Sequence, residues 1–92
     1  MQRIIVYKKG GKSMIDKEKV NTELSDYIRL LRLKYRKSQE DMGQLLGVSR
    51  NTYSIWERRP ISLPLETIIK IGDVLDHDIF IFFKEYVANR NQ

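Results

Sequence analysis

The sequence predicts an all-α domain of about five short helices. Apolar residues recur at helical spacing in successive stretches that follow Thr22, Ser38 and Pro64. Serine and threonine often cap helix N-termini, and proline is tolerated in a first turn. Between these stretches, Gly47 can end a helix with a positive φ, and Pro60 disfavours helix at the residue before it. With 92 residues, the chain supports a single core.

The first predicted helix begins at Thr22, its N-cap, and has Glu23 in its first turn. Its apolar face consists of Leu24, Tyr27, Ile28, Leu31 and Tyr35. Ser38 then caps a second helix, with Asp41 three residues later as in a capping box. The apolar side of this second helix consists of Met42, Leu45 and Leu46.

Ser49 is the predicted cap of a third helix, whose apolar positions are Tyr53 and Trp56. A loop at 59–62 separates it from a fourth helix, which we expect from about Pro64 to Asp76. The apolar stripe of the fourth helix consists of Leu65, Ile68, Ile71 and Leu75.

The two ends of the chain are set apart from this helical domain, which we place at 21–76. Residues 1–20 form a basic, partly flexible N-terminal extension, with an Ile-Ile-Val-Tyr run followed by glycines among lysines. The C-terminal segment, 77–92, contains five consecutive apolar residues at 79–83 that suit either a helix or a strand. Short β pairing between the two ends is therefore possible, and we expect 77–92 to be a dimerisation element.

The composition excludes several classes of protein. The chain has no cysteine and one histidine, His77, so thiolate zinc sites, disulfide scaffolds and histidine-rich metal sites are excluded. No nucleophile, metal or phosphate-loop constellation is present, so we predict no enzymatic activity, no cofactor and no metal. Without an apolar run of about 20 residues, we expect a cytoplasmic protein.

The charge distribution points to a partner that carries phosphates. Residues 1–59 hold 14 basic and 7 acidic groups, a net charge of +7, whereas 60–92 hold 3 basic and 5 acidic groups, a net charge of −2. A basic region of this kind is typical of nucleic-acid binding, although such charges are often merely solvated.

Residues 39–58 have the pattern of a helix-turn-helix. Two short helices that cross steeply need a small residue at their closest approach, which is Gly43, and a turn residue that accepts a positive φ, which is Gly47. The positions that must be buried are all apolar: Met42, Leu46, Val48, Tyr53 and Trp56. An ordinary pair of packed core helices would rarely satisfy all these constraints together.

This pattern resembles the Cro and phage-repressor-like helix-turn-helix regulators, the XRE family. The resemblance runs from about Leu24 to Leu75 and rests on the segments 28–32, 38–39, 46–49, 54–57, 65–68 and 71–75. It implies a lambda-repressor-like domain with a short fifth helix at 78–88, and a homodimer that binds a near-palindromic operator in double-stranded DNA. It also implies the role of a repressor more often than that of an activator.

The chain departs from the family at four positions. Alanine is usual where Gly43 and Gly72 stand, and a β-branched residue is usual at Tyr53. Arg59 replaces a glycine, which puts the usual turn after the third helix in doubt and adds a cation near the DNA.

Docking of the third helix in the major groove assigns candidate base contacts. They are the residues facing away from Tyr53 and Trp56, namely Ser49, Arg50, Asn51, Ser54 and Ile55. Arg50 suits guanine, Asn51 suits adenine and Ile55 suits a thymine methyl group. A phosphate contact remains an equal alternative for Arg50, and partial burial against the first helix remains an alternative for Ile55.

Four other residues are candidate phosphate contacts: Gln39, Lys37, Arg58 and Arg59. Gln39 lies at the start of the second helix, where backbone N–H groups attract anions, and the resemblance marks it as a clamp on the DNA backbone. The resemblance also implies a structural ion pair between Arg32 and Glu57. A second hypothesis makes protein binding central, as in antitoxins of this family that neutralise a toxin and repress their own gene.

Overall fold

The computed structural model describes residues 16–90 as a bundle of five α-helices and one 3₁₀ turn. The helices are α1 (Lys17–Lys34), α2 (Gln39–Leu46), α3 (Arg50–Arg58), α4 (Leu65–Asp73) and α5 (Phe80–Arg90). The 3₁₀ turn, Pro60–Ser62, follows α3 directly and lies against α1. The predicted all-α fold class is confirmed.

The first helix begins earlier than predicted. Asp16, and not Thr22, is the N-cap of α1, and its side chain accepts hydrogen bonds from the backbone N–H groups of Glu18 and Lys19. Residues 17–20, which we assigned to an N-terminal extension, are the first turn of this helix, and Val20 and Asn21 are buried. Burial of Val20 adds an apolar contact that stabilises this turn. The Ile-Ile-Val-Tyr run at 4–7 lies outside the described residues.

The C-terminal segment is helical. The strand alternative for 79–83 is wrong, because α5 begins at Phe80 and the Asp78 side chain accepts a hydrogen bond from its first backbone N–H. Ile79 and Phe82 are buried and Phe80 and Ile81 are exposed, as expected for a helix that packs on one side. The ring of Phe82 lies 5.1 Å from that of Tyr27, which fixes α5 against α1.

The core contains residues from every helix. Its buried members are Leu24, Ile28, Leu31, Met42, Tyr53, Ile68, Ile71, Leu75, Ile79 and Phe82. Three residues predicted on apolar faces are instead exposed: Tyr35, Leu45 and Leu65. Tyr35 lies just after the end of α1 and Leu65 is the first residue of α4, so neither reaches the core, while Leu45 lies to one side of Met42 on the short α2.

His77 connects the α4–α5 linker to α1. Its Nε2 atom lies 2.6 Å from the hydroxyl of Tyr27, and both side chains are half-buried. Burial raises the pKa of Tyr27, and the nearby carboxylates of Glu85 and Asp78 raise it further. His77 is therefore a structural residue that holds the linker in place.

Candidate nucleic-acid interface

The turn between α2 and α3 has the predicted geometry. The hydroxyl of Ser38 accepts a hydrogen bond from Asp41 N (2.9 Å), and the Asp41 carboxylate accepts one from Ser38 N (2.8 Å), which completes a capping box. Gly47 ends α2 with a φ of 76°. The N–H of Val48 then donates to the carbonyl of Gly43 at 2.8 Å, which closes the turn.

Gly43 lies at the closest approach of α2 and α3. A β-carbon at this position would lie 2.7 Å from the carbonyl oxygen of Val48 and 3.2 Å from the backbone nitrogen of Arg50. Both neighbours are backbone atoms, so even alanine, the usual family residue, requires the turn to move. A β-carbon at Gly72 would lie 2.7 Å from the carbonyl oxygen of His77. Glycine at these two positions therefore permits a close approach to neighbouring backbone atoms.

One face of α3 presents the candidate base contacts to solvent. Ser49, Arg50, Asn51 and Ile55 are exposed, while Tyr53 on the opposite face is fully buried. Ile55 is 47% exposed. Ser54 and Trp56 are half-buried at the edges of this face.

The residues of this face differ in how many contacts they make. Ser49 is the N-cap of α3, and its hydroxyl accepts a hydrogen bond from Thr52 N and donates one to Thr52 Oγ1, both at 3.0 Å. Arg50 and Asn51 form no side-chain hydrogen bond or ion pair with any residue between 16 and 90. These two polar side chains are therefore available to a ligand without breaking a hydrogen bond to the described residues.

A buried polar cluster lies at the other end of α3. Glu57 is 3% exposed, and its carboxylate accepts two hydrogen bonds from Arg32, at 2.8 and 3.0 Å. It also accepts one from the Tyr53 hydroxyl at 2.7 Å and one from Gln39 Nε2 at 3.0 Å. Arg32 in turn donates to the carbonyl of Lys37 at 2.9 Å. This cluster joins α1, α2 and α3.

The electrostatics of the cluster favour a charged Glu57. Burial raises the pKa of Glu57, but hydrogen bonds from Arg32, Tyr53 and Gln39 outweigh burial, so the net pKa is lowered. For Tyr53, burial raises the pKa and the hydrogen bond to Glu57 raises it further, so its hydroxyl remains a donor. The ion pair is thus fully hydrogen-bonded, as a buried charge requires.

The candidate phosphate contacts lie around this cluster. Gln39 begins α2, and its side chain is half-buried because of its hydrogen bond to Glu57. Lys37 is half-buried, and Arg58 is exposed at the last position of α3. Arg59 is exposed but bound to Glu18, with Nη1 of Arg59 2.8 Å from Oε1 of Glu18.

Our sequence reasoning missed a polar stripe on α1 that holds the end of α3. Ser25 donates to the carbonyl of Glu57 at 2.6 Å. Asn21 donates to the carbonyl of Arg58 and accepts from the N–H of Ile61, both at 3.1 Å. Together with Glu18 and Arg32, these residues recur at helical spacing. That spacing is the feature of the sequence from which one polar face of α1 could have been predicted.

The described part of the chain offers neither a metal site nor a membrane-spanning helix. Residues 16–90 contain no group of three histidine, cysteine or acidic side chains that could hold a metal ion. Within the same residues, each helix is too short or too polar to cross a membrane.

Comparison with known proteins identifies the family. The model of a helix-turn-helix family matches residues 28–80, which is more than half of the chain. No curated protein and no solved structure matches the chain significantly. The matched region spans the capped turn, the exposed face of α3, the buried cluster and α4. The chain therefore belongs to the helix-turn-helix family of Cro and phage-repressor-like DNA-binding regulators, the XRE family.

Proposed function

We propose that this regulator reads a specific DNA sequence by placing α3 in the major groove, and that it represses transcription as a homodimer in the cytoplasm. The observation that carries the proposal is the pair Arg50 and Asn51, which are exposed in the first turn of α3 and whose side chains make no hydrogen bond to the described residues. A helix N-terminus that enters the major groove brings its first residues to the base edges.

Each side chain on this face has a matching base chemistry. The guanidinium of Arg50 suits the two acceptors of guanine, and the amide of Asn51 suits the acceptor and donor of adenine. Ile55 lies one helical turn after Asn51 and is exposed, so it suits a thymine methyl group. Ser49 and Ser54 complete the base-contacting set, with Ser49 also capping α3.

The proposed phosphate contacts are Gln39, Lys37, Arg58 and Arg59. Gln39 lies in the first turn of α2, where the backbone N–H groups attract anions, and its hydrogen bond to Glu57 orients its amide. Lys37, Arg58 and Arg59 supply positive charge nearby in the sequence. Such contacts set register and affinity without reading the sequence.

The proposed dimer uses α5. One face of this helix is open and mainly apolar, with Phe80 44% and Val87 54% exposed beside Phe83, Ala88 and the charged Lys84. Exposed apolar residues that cluster on one helix favour burial against a partner. A second copy bound here would give two reading helices related by a twofold axis, as a near-palindromic operator requires.

Selection from a random pool of DNA duplexes, followed by titrations of the selected and a scrambled duplex, tests base reading. We expect Arg50→Ala and Asn51→Ala to reduce discrimination between the two duplexes by about 1–3 kcal/mol each. We expect Gln39→Ala to weaken both duplexes equally. Equal losses on both duplexes for all three variants would overturn the assignment of the reading residues.

Sedimentation tests the dimer separately. Val87→Glu places a charge on the apolar face of α5 and should shift the protein towards monomer. Asn89→Glu, on the same helix and also exposed, is the matched control and should not. A Val87→Glu variant that sediments like the native protein would show that the dimer uses another surface.

A further inference from the structure

The loop after α3 places the guanidinium of Arg59 against the first turn of α1, where it pairs with Glu18. Both outer nitrogens of the Arg59 guanidinium face the Glu18 carboxylate, with Nη1–Oε1 at 2.8 Å and Nη2–Oε2 at 3.4 Å. The hydrogen bond from Arg59 lowers the pKa of Glu18, and the same bond raises the pKa of Arg59. The pair is therefore fully ionised at neutral pH.

The backbone of this loop is fixed while the ion pair is open to solvent. Asn21 binds the carbonyl of Arg58 and the N–H of Ile61, and Pro60 between them is buried. The side chains of Arg59 and Glu18 are 46% and 70% exposed. The guanidinium thus has a defined place one residue beyond α3, but water and solutes reach it.

We propose that Glu18 competes with DNA phosphates for the guanidinium of Arg59 and thereby lowers the affinity of this regulator for any DNA. The proposal rests on the proposed function, in which Arg59 is a phosphate contact. A carboxylate and a phosphate both accept two parallel hydrogen bonds from one guanidinium, so they occupy the same donors. Arg59 must leave Glu18, wholly or in part, to bind a phosphate through these two nitrogens.

The other ion pairs of the described residues do not suit this role. Arg32–Glu57 is buried and carries further hydrogen bonds, so it does not open at low cost. Lys19–Glu23, Arg29–Asp26 and Lys70–Glu66 each lie within one helix. Between residues 16 and 90, Arg59–Glu18 is the exposed pair that joins two separate elements.

The test is a double-mutant cycle read by DNA titration at several salt concentrations. Glu18→Gln should bind both a selected and a scrambled duplex about two- to five-fold more tightly, because an exposed ion pair is weak and phosphates are not sequence-specific. The slope of the logarithm of its binding constant against the logarithm of the salt concentration should steepen by up to about 0.9 for each phosphate contact that Arg59 gains. In an Arg59→Ala background, Glu18→Gln should have no effect.

Glu23→Gln is the matched control, because it removes a carboxylate from α1 without touching Arg59. If Glu23→Gln raised the affinity for DNA as much as Glu18→Gln does, the effect would be one of general charge and the proposal would fail. The same holds if Glu18→Gln still raised the affinity in the Arg59→Ala background. Weaker binding by Glu18→Gln would also overturn it, because Glu18 would then position Arg59 for DNA.

The failure of the proposed function gives a different result. If the native protein bound no duplex, both proposals would fall. If it bound DNA and Arg59→Ala bound equally well, Arg59 would not be a phosphate contact. If Arg59→Ala weakened binding but Glu18→Gln matched the native protein, the competition alone would be wrong. Unchanged thermal unfolding of the variants verifies that these exposed changes leave the fold intact.

Discussion

The two ends of α3 differ in how they are held. At the N-terminal end, Arg50 and Asn51 are exposed and make no side-chain bond to the described residues. At the C-terminal end, Glu57 is buried and accepts hydrogen bonds from three side chains, and the backbone carbonyls of Glu57 and Arg58 are bound by α1. The helix is anchored at one end and presented at the other.

This difference suits a helix that reads DNA. Side chains that pair with bases exchange water for base edges, so internal contacts would compete with that exchange. Their positions must nevertheless be defined, because a bidentate pair tolerates little displacement. Anchoring the far end of α3 to α1 defines the position of the helix without using Arg50 and Asn51, the residues proposed to read bases.

The largest expected effect is the loss of the buried ion pair. Arg32→Ala leaves Glu57 charged and buried without its main partner, which should lower the free energy of unfolding by about 3–5 kcal/mol. Urea denaturation measures this loss. Arg29→Ala removes an exposed arginine paired with Asp26 on the same helix and should change stability by less than about 0.5 kcal/mol. Similar losses for both variants would mean that the cluster does not anchor α3.

Acid should weaken the same anchor, with a smaller effect. The pKa of Glu57 in the folded state is below its usual value of 4.5. Its contribution to stability is therefore complete above pH 4.5 and is lost as the pH falls through the lower folded value. Denaturation curves between pH 7 and pH 3 measure this loss. Asp41 also has a lowered pKa, because the Ser38 backbone N–H binds it, and so adds to the acid sensitivity.

The matched variant for this experiment is Glu57→Gln, which cannot lose a charge at residue 57 but keeps Asp41. It should be less stable than the native protein at pH 7 and should lose less stability on acidification. Parallel pH profiles for the two proteins would contradict the role of Glu57.

Tyr53→Phe tests the least usual part of the anchor. The variant keeps the ring in the core but removes the hydroxyl that donates to Glu57 at 2.7 Å. A hydrogen bond to a charged group contributes about 1.5–3 kcal/mol, so unfolding should become easier by that amount. Tyr35→Phe removes an exposed hydroxyl, since Tyr35 is 42% exposed, and should have no measurable effect. Equal stability of Tyr53→Phe and Tyr35→Phe would mean that Tyr53 contributes only its ring.

Most of the fold could be predicted because caps and apolar spacing coincide in α2 and α3. Ser38, Gly47 and Ser49 mark helix ends in the sequence, and each does so in the structure. The start of α1 was missed because charged residues surround Val20, the one apolar position of the first turns, and because Thr22 also suits an N-cap. The sequence does not distinguish a helix from a strand at 79–83, because five consecutive apolar residues have no period. Packing of Phe82 on Tyr27 favours the helix.

The site was less accessible to sequence reasoning than the fold. The exposed face of α3 follows from its period once Tyr53 is placed in the core. The stripe of polar residues on α1 has helical spacing too, but such spacing usually marks a solvated face. Only the position of the loop after α3 shows that Glu18 and Asn21 have partners. Arg59, which stands where the family has glycine, is accommodated by those same contacts.

The smallest expected effect on stability is that of Asn51→Ala, at the N-terminal end of α3. It is compared with Asn21→Ala, because Asn21 on α1 binds the C-terminal end of α3. Asn51→Ala removes an exposed side chain that makes no hydrogen bond to residues 16–90, so the free energy of unfolding should change by less than about 0.5 kcal/mol. Asn21→Ala leaves the carbonyl of Arg58 and the N–H of Ile61 without their partner and should cost about 1–3 kcal/mol. Thermal unfolding followed by circular dichroism compares the two variants. If Asn51→Ala proved as destabilising as Asn21→Ala, the Asn51 side chain would be held by contacts of its own, and the contrast between anchored and presented side chains at the two ends of α3 would not stand.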